Sequence, residues 1–516
     1  MKVSLSSTAI LWVAATFLML PAFFAGHIIS DNSFLNVNWS RGFSEQLFAG
    51  YLYPRWLPEM NAGAGSPVFY FYGPLPFYLN APFELIFSPR LAVLWGMWLM
   101  LALSGQAFAA LAASLVRSES ALIAAIAYMA MPYHLLVDIW LRSDLGELAA
   151  YIFTPLCVLC TLQLGSSRIW MFGLAFSIAG LLFSHLPSAE LVLPFLSCLC
   201  VFVACQNQFA TVLLRAATAV VFGFGLAAVY VIPAVLLQNL IHAEFWTSVR
   251  LADSLLFTAK PSAFELFLDA IVVGELLIVA AVLFGSMSRV RWRSIAPWTS
   301  CAAALLFLIS PAAAGWWNLL PGPFEKVQYA WRTLMLLDLA VCILFALALD
   351  AKLFGGTVFI QLMTLTLGVL TALFIFYRES DEGNGLVPRS ADREERLIAR
   401  RVEPLEYLPS CGPFRISERS NGKSGLIVHD WIGGNSSDEL AVFYYPFLEV
   451  KMAGKQVPTK CDPTTGFTVV GPHDGPVDVQ IRPFKLEFIS MVLSGLSLAL
   501  LLLNVALSTR IRFKRT

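Results

Sequence analysis

Long apolar runs recur along almost the entire chain, and short polar connections separate them. Most of these runs approach the ~20 residues that an α-helix needs to cross the hydrocarbon core of a bilayer. The pattern therefore predicts an α-helical polytopic membrane protein with about twelve transmembrane helices. The predicted spans are 6–25, 92–116, 120–133, 149–165, 169–184, 188–205, 210–236, 263–286, 295–310, 333–350, 357–377 and 487–508.

The composition agrees with this class. Of the 516 residues, 58% are hydrophobic and 13% are charged, and the mean hydropathy is +0.72, whereas soluble domains carry about 25% charged residues. The 34 basic and 34 acidic side chains cancel, so bulk charge predicts no nucleic-acid partner. The first apolar run could pass for a signal peptide, but its cleavage pattern is weak and further spans follow. We interpret it as a retained first helix.

The placement of Lys and Arg predicts the orientation, because cytoplasmic connections carry an excess of basic residues. With a cytoplasmic N-terminus, the cytoplasmic connections hold Arg117, Arg168, the cluster Arg289, Arg291 and Arg293, Lys352, and the tail Arg510, Arg512, Lys514 and Arg515. Both termini are then cytoplasmic. This predicts a transmembrane module over 1–377 with a first external loop at 26–91, an extracytoplasmic domain at 378–486, and a last helix with a basic tail at 487–516.

The region 378–486 changes from apolar runs to short β-like runs separated by Gly and Pro turns, which predicts a small β-sandwich. The runs lie at 425–432, 440–454, 466–471 and 477–484. Cys411 and Cys461 are the only cysteines in this region, so a disulfide between them is expected if it faces an oxidising compartment. In the first loop, 74–87 is too short to span and opens with two prolines, which indicates a helix lying in the membrane interface.

Polar residues gather at the predicted outer ends of the helices, where ionisable groups are costly and usually pair or act. A buried carboxylate can take a proton from a hydroxyl group, and Asp31, just past the first helix, is our candidate. Arginine matches phosphate oxygens, which makes Arg142 and Arg332 candidates for phosphate binding. The alternative is that these groups form interfacial salt bridges. We find no nucleotide-binding or zinc motif, although outer carboxylates could hold Mg²⁺ or Mn²⁺.

Several motifs together resemble one known class. The first loop contains SDNSF (30–34), GYLYPRW (50–56), NAGAGSPVFYFY (61–72) and GPLPFYL (73–79); PYHLLVDIWLRSDLGELAA (132–150), SHLPSA at His185, VQYAWRTLM (327–335) and PLEYLP (404–409) follow. In this order the chain resembles the GT-C polytopic glycosyltransferases, most closely the bacterial branch labelled as membrane proteins related to 6-pyruvoyl-tetrahydropterin synthase. The synthase activity is not expected, because its three-histidine zinc site has no counterpart among six scattered histidines.

The resemblance implies a GT-C-like transferase of the bacterial inner membrane that moves a sugar from a polyprenyl-phosphate donor to a glycan, lipid or protein acceptor on the extracytoplasmic face. Asp31 would be the general base. Arg332 and Arg142 would hold the donor phosphate, and Glu147 would position an arginine or the sugar. His27, Arg55, His185, Gln328 and Trp331 are expected to help position the substrates.

Two other functions stay open. A transporter or flippase of lipid-linked glycans would carry charges within its spans and broken helices at mid-membrane. Apart from Asp338, the predicted spans are nearly free of charge, which argues against that function. A non-catalytic cell-envelope assembly protein is the third interpretation.

Overall fold

The computed structural model describes residues 5–247, 251–286, 292–320, 322–352, 368, 391–401, 403–412, 439–452, 454–470, 477–482 and 484–513. The chain is mainly helical, with a small amount of sheet near its C-terminus. The helices are α1 (Leu5–Ala25), α2 (Ser33–Phe48), α3 (Val68–Phe71), α4 (Leu75–Glu84), α5 (Pro89–Ala112), α6 (Ser118–Met129), a π-helix (Tyr133–Leu141), α7 (Leu145–Leu162), α8 (Ile169–Ser184), α9 (Leu186–Gln206), α10 (Phe209–Leu236), α11 (Ala263–Ser286), α12 (Trp292–Ile309), α13 (Ala314–Trp317), α14 (Leu334–Asp350), α15 (Ala391–Arg400) and α16 (Lys485–Phe513).

Within this described part, nine helices are long and apolar enough to cross a membrane. A tenth span results if the pair Ser294–Ile309 and Pro311–Trp317, bent by 77°, is counted as one. Eleven of the twelve predicted spans coincide with a described helix, so the polytopic helical class is confirmed. The count of about twelve spans stays a prediction, because Ile169–Ser184 is shorter than a membrane-spanning helix. Apart from residue 368, the span 357–377 lies outside the described residues. So do the strand-like run 425–432 and the basic residues at 289, 291, 514 and 515.

The chain divides into two compact units, which we call unit 1 and unit 2. Unit 1 comprises 1–28, 94–221 and 247–382, and unit 2 comprises 29–93, 222–246 and 383–516. In unit 1, α7 packs against α8 and α9, and α14 packs against α6, α11 and α12. Almost every side chain of α14 is buried, because this helix is apolar on all sides and is surrounded by other helices.

Unit 2 contains two small antiparallel sheets. The strands are β1 (Glu439–Phe443), β2 (Leu448–Met452), β3 (Lys455–Val457), β4 (Lys460–Cys461), β5 (Phe467–Val469) and β6 (Val477–Ile481). One sheet has the order β1-β5-β4 and the other β3-β2-β6. Gly454, with φ +75°, lies in the turn between β2 and β3, where a left-handed conformation suits glycine. A disulfide joins Cys411 to Cys461.

The first loop and the C-terminal polar region fold together within unit 2. The backbone N–H of Phe443 donates to the carbonyl of Ala64 at 2.9 Å, and that of Asn61 donates to the carbonyl of Arg401 at 2.8 Å. The ring of Trp56 packs edge-on against Tyr445, with centroids 5.6 Å apart. The first loop is therefore a structural part of the same unit as the sheets.

Two helices in the first loop illustrate what the pattern predicted and what it missed. The segment predicted at 74–87 forms α4, Leu75–Glu84. The sequence did not predict α2, Ser33–Phe48, which contains Gly, Ser and Asn residues of weak helix propensity. Its Phe34, Trp39 and Phe43 are at most 4% exposed, so tertiary burial stabilises this helix where local propensity does not.

Candidate functional site

The candidate site in unit 1 begins at an irregular turn between two helices. The π-helix ends at Leu141 and α7 starts at Leu145. Between them, Ser143 has φ +50°, a conformation that few non-glycine residues adopt. Asp144 caps α7 by accepting a 3.0 Å hydrogen bond from the backbone N–H of Glu147. This turn brings acidic and basic side chains of both helices together.

Arg142 lies among three carboxylates. Its Nη1 donates hydrogen bonds of 2.8 Å to Asp138 Oδ1 and to Glu147 Oε2, and its Nη2 donates to Asp144. Arg142 is 7% exposed, and the three acids are at most 4% exposed. Because desolvation of an ion is costly, a guanidinium at this depth needs such partners. Protein carboxylates therefore already occupy both terminal nitrogens of Arg142.

Arg332 approaches the same carboxylates more loosely. It lies in the short turn Ala330–Thr333 that leads into α14. Its Nη2 is 3.8 Å from Asp144 Oδ2 and its Nε is 3.6 Å from Glu147 Oε2, while its Nη1 donates to the carbonyl of Val327 at 3.0 Å. The buried Nε makes no hydrogen bond within the described part of the chain. Arg332 thus retains more donor capacity than Arg142 does.

Aromatic rings cover both arginines. The guanidinium carbon of Arg142 lies 5.1 Å from the ring centroid of Trp331, and that of Arg332 lies 5.5 Å from the centroid of Tyr329. The two rings stack with centroids 4.8 Å apart. Tyr133 donates a 2.8 Å hydrogen bond to Glu147 Oε1. These contacts combine cation–π attraction with a fixed carboxylate orientation.

His185, the residue between α8 and α9, is the last member of this group of polar side chains. Its Nδ1 lies 2.8 Å from Ser188 Oγ. Burial, helped by the charges of Arg332 and Arg142, lowers the pKa of His185 to about 3, although Asp144 acts to raise it. Burial alone would raise the pKa of Asp144, but its neighbours, Arg142 first among them, together outweigh burial and lower it. The cluster therefore contains a neutral imidazole beside an ionised carboxylate at neutral pH.

We call this group the Arg142 cluster; it consists of Tyr133, Asp138, Arg142, Asp144, Glu147, His185, Trp331 and Arg332. Three stretches that are distant in sequence supply it, and each contains one of the motifs singled out above. Its three carboxylates and two guanidiniums leave a formal charge of −1 when all are ionised. The arrangement can hold a proton or a cationic group, and it can bind an anion only if an arginine exchanges a carboxylate partner.

Two other predicted residues lie in unit 1. Gln328, with φ +67°, is half-buried in the segment before Tyr329. His27 follows α1 directly, is half-buried, and has its Nδ1 2.9 Å from the carbonyl of Ala25. No contact of either residue with the Arg142 cluster is among the hydrogen bonds and ion pairs of the described residues.

The remaining predicted residues belong to unit 2. Asp31 is half-buried in the turn that precedes α2. Arg55 is 9% exposed, and its Nε lies 3.2 Å from Glu487 Oε2 on α16. Its Nη2 donates to the carbonyl of Val229 at 2.7 Å, and its guanidinium lies over the ring of Tyr53, 4.1 Å from the centroid. Arg55 thus ties the first loop to α10 and α16.

Glu403 is a buried acid of unit 2 that the sequence reasoning missed. It accepts hydrogen bonds from Ser66 Oγ at 2.6 Å, Trp39 Nε1 at 3.1 Å and Asn61 Nδ2 at 3.2 Å. Burial raises the pKa of Glu403 to about 8, although these three hydrogen bonds act to lower it. Its position directly before the PLEYLP motif was the signal that could have found it.

The aromatic residues of the first-loop motifs at 61–72 and 73–79 are largely part of the hydrophobic core. Phe69, Tyr70, Phe71 and Phe77 are between 0 and 6% exposed. Trp39 packs against this group, for example edge-on to Phe69 with centroids 6.5 Å apart. These rings therefore stabilise unit 2 and are too buried to line an open groove.

The expectation of nearly charge-free spans, with Asp338 as the main exception, is wrong. Glu275 lies within the span Ala263–Leu283 and is 2% exposed, and Asp138 lies within Ser118–Leu141 and is fully buried. Glu275 was missed because one carboxylate barely changes the hydropathy of a 20-residue window. Asp138 was assigned to the connection after the predicted span 120–133, but the π-helix extends this span to Leu141.

Neither a search for metal sites nor a comparison with known proteins identifies the function of this chain. Among the described residues, no group of three or more His, Cys, Asp or Glu is arranged to hold a metal ion. Comparisons with protein-family models and with curated protein sequences find no match for this chain. The functional argument therefore depends on the residues themselves.

Proposed function

We propose that this protein is a membrane glycosyltransferase of the GT-C type that takes a sugar from a polyprenyl-phosphate-linked donor. The observation that carries the proposal is the Arg142 cluster. Its members come from the Arg–x₄–Glu motif at 142–147, the SHLPSA motif at His185 and the Trp-Arg motif at 331–332, which carry the resemblance to that class. Side chains from three motifs so far apart in sequence meet in one buried group.

The contacts divide the roles of the two arginines. Arg142 is held by carboxylates at 2.8 Å, so we assign it to shaping the site. Arg332 has longer ion-pair contacts of 3.6 and 3.8 Å, so we assign it the donor phosphate, whose oxygens match a guanidinium fork. Glu147, which contacts both arginines, would position them. Asp31 would take the proton of the acceptor hydroxyl.

The proposed setting is the bacterial inner membrane. Both termini would be cytoplasmic, and the region 378–486 with the first external loop would face the extracytoplasmic side. The disulfide between Cys411 and Cys461 supports this orientation, because disulfides persist in oxidising compartments. The acceptor would be a glycan, a lipid or a protein.

Two observations favour transport of a lipid-linked glycan as a second candidate function. The pair Ser294–Ile309 and Pro311–Trp317 is bent by 77°, as in a broken span or re-entrant segment. Glu275 and Asp338 are buried inside spans. Transporters use both features at mid-membrane. The glycosyltransferase remains first because the Arg142 cluster unites the motifs that point to it.

The test is transfer of label from a radiolabelled polyprenyl-phosphate sugar in membranes. The Asp31→Asn variant keeps the size of the side chain but cannot accept the proton. We expect transfer to fall by about 10²- to 10⁴-fold, the usual contribution of a general base. Arg332→Lys should weaken use of the donor, because an ammonium replaces the guanidinium fork.

Matched substitutions provide the controls. Asp478→Asn changes an exposed Asp of unit 2, and Arg168→Lys changes an exposed Arg of unit 1; both should transfer label as the native chain does. Full activity of Asp31→Asn at equal membrane level would remove Asp31 from the mechanism. If native membranes transfer no label but vesicles containing the protein move labelled lipid-linked glycan between leaflets, the second candidate is correct.

A further inference from the structure

A second buried polar group lies in unit 1, away from the residues assigned above. Glu275 on α11 and Asp338 on α14 face each other where these helices pack together. They are 2% and 0% exposed. Each lies about eight residues, or ~12 Å along the helix axis, from the nearer end of its span. The two carboxyl groups are therefore deep within the apolar part of the bundle.

The neighbours of the pair are polar but not cationic. Tyr151 donates a 2.9 Å hydrogen bond to Asp338 Oδ2, and the backbone of His134 lies near the same carboxyl group. The rings of His134 and Tyr151 stack with centroids 3.7 Å apart. Cys342 is close enough to act electrostatically on both acids. Neither acid forms an ion pair with a Lys or Arg in the part of the chain that is described.

The surroundings of the two carboxyl groups indicate that they share a proton. The two side chains lie at hydrogen-bonding distance from each other, yet both oxygens of Glu275 and Oδ1 of Asp338 meet no protein donor among the described residues. An ionised carboxylate only accepts hydrogen bonds. Two ionised carboxylates in contact inside a membrane would be strongly disfavoured, because each would be desolvated beside a like charge.

We propose that Glu275 and Asp338 form a proton-binding site inside the membrane-spanning bundle, with the proton carried by Glu275 and donated to Asp338. Asp338 is the acceptor because Tyr151 already donates to it, which favours its ionised form. Glu275 has no such donor, which favours its protonated form. The site goes beyond the glycosyltransferase proposal and does not depend on it.

The site is connected to the Arg142 cluster through shared elements. Glu147 and Tyr151 lie four residues apart on α7, and therefore on the same face of that helix. Glu147 contacts Arg142, while Tyr151 contacts Asp338. Glu147 and Tyr151 thus place one face of α7 between the turn at Arg142 and the carboxyl pair.

Infrared spectroscopy of the purified full-length protein tests the proposal. A protonated carboxyl group gives a C=O stretching band that is separate from carboxylate bands and shifts in D₂O. We expect the native-minus-Glu275→Gln difference spectrum at pH 7 to contain one such band. In Asp338→Asn, Glu275 stays protonated but donates to an amide oxygen, so the band should remain and change frequency. Glu265→Gln, the same substitution near the start of α11, should leave the band unchanged.

Three results of the infrared comparison would overturn the proposal. The band could persist at full intensity in Glu275→Gln, it could be lost in Asp338→Asn, or the native protein could lack it. A rise in thermal stability with Na⁺ but not with choline would assign the site to a metal cation in place of a proton. If Glu275→Gln does not fold, the native-minus-Asp338→Asn difference spectrum isolates the Glu275 band from other protonated carboxyl groups such as Glu403. With ¹³C-labelled glutamate, a downshift of the bands in this difference spectrum supports the assignment, and unshifted bands contradict it.

Discussion

Replacing Arg142 with methionine provides the sharpest test of the Arg142 cluster. Methionine fills much of the arginine volume but leaves Asp138, Asp144 and Glu147 without their shortest contacts. Charge-assisted hydrogen bonds contribute about 1.5–3 kcal/mol each, but contributions within one network do not add. Breaking a buried ion pair costs about 3–5 kcal/mol, and Arg332, at 3.6 and 3.8 Å, compensates two of the three acids in part. We expect Arg142→Met to lower the free energy of unfolding by about 4 kcal/mol.

The assay is reversible unfolding in mixed micelles with increasing denaturing detergent, followed by tryptophan fluorescence. Arg117→Met is the matched control, because Arg117 pairs with Asp350 at 2.8 Å while its side chain is 55% exposed. Exposed pairs are screened by solvent and contribute little, so this variant should behave nearly as the native chain does. Equal losses in the two variants would refute the argument that burial makes the Arg142 contacts strong.

A double-mutant cycle identifies the responsible contact. Asp138 forms its ion pair with Arg142 alone among the described residues, and its Oδ2 accepts no hydrogen bond there. Asp138→Asn removes the charge that Arg142→Met leaves uncompensated. We therefore expect the double variant to be more stable than the sum of the single losses predicts, by about 1–3 kcal/mol. Strict additivity would show that the two side chains do not interact.

Two further predictions concern packing and pH. Gly65→Ala should lower the free energy of unfolding by about 2–5 kcal/mol, because its new methyl group would lie 1.9 Å from the ring of Trp56. Gly63→Ala is the control: Gly63 also has a positive φ but open space around it, so this variant should lose only the energy of backbone strain. Equal losses of the two variants in chemical unfolding would contradict this prediction. The folded-state pKa of His185 is lowered from 6.5 to about 3, so the unfolded chain binds a proton that the folded chain does not. Its contribution to stability is complete above pH ~6.5 and is lost as the pH falls towards 3. His185→Gln should flatten that part of the stability–pH curve, and parallel curves would refute the assignment.

The membrane spans could be predicted from the sequence because hydropathy is a local property. A run of apolar residues must be helical in lipid, since its backbone groups have no water to bond. This reasoning located eleven of the twelve predicted spans on described helices, including α7 and α14. It failed at α2, whose weak helix formers are stabilised by burial of Trp39 and Phe43 against distant aromatic rings.

The polar contacts of the candidate site could be predicted from the sequence only in part. The sequence alone determined that Arg142, Glu147 and Arg332 are ionisable residues at the ends of apolar runs. Only the tertiary structure decided that Glu147 contacts both arginines, that Arg55 binds Glu487, and that Glu275 faces Asp338. The physical reason is range: hydropathy is summed over neighbours along the chain, whereas the energy of a buried charge depends on partners that folding brings from elsewhere in the sequence.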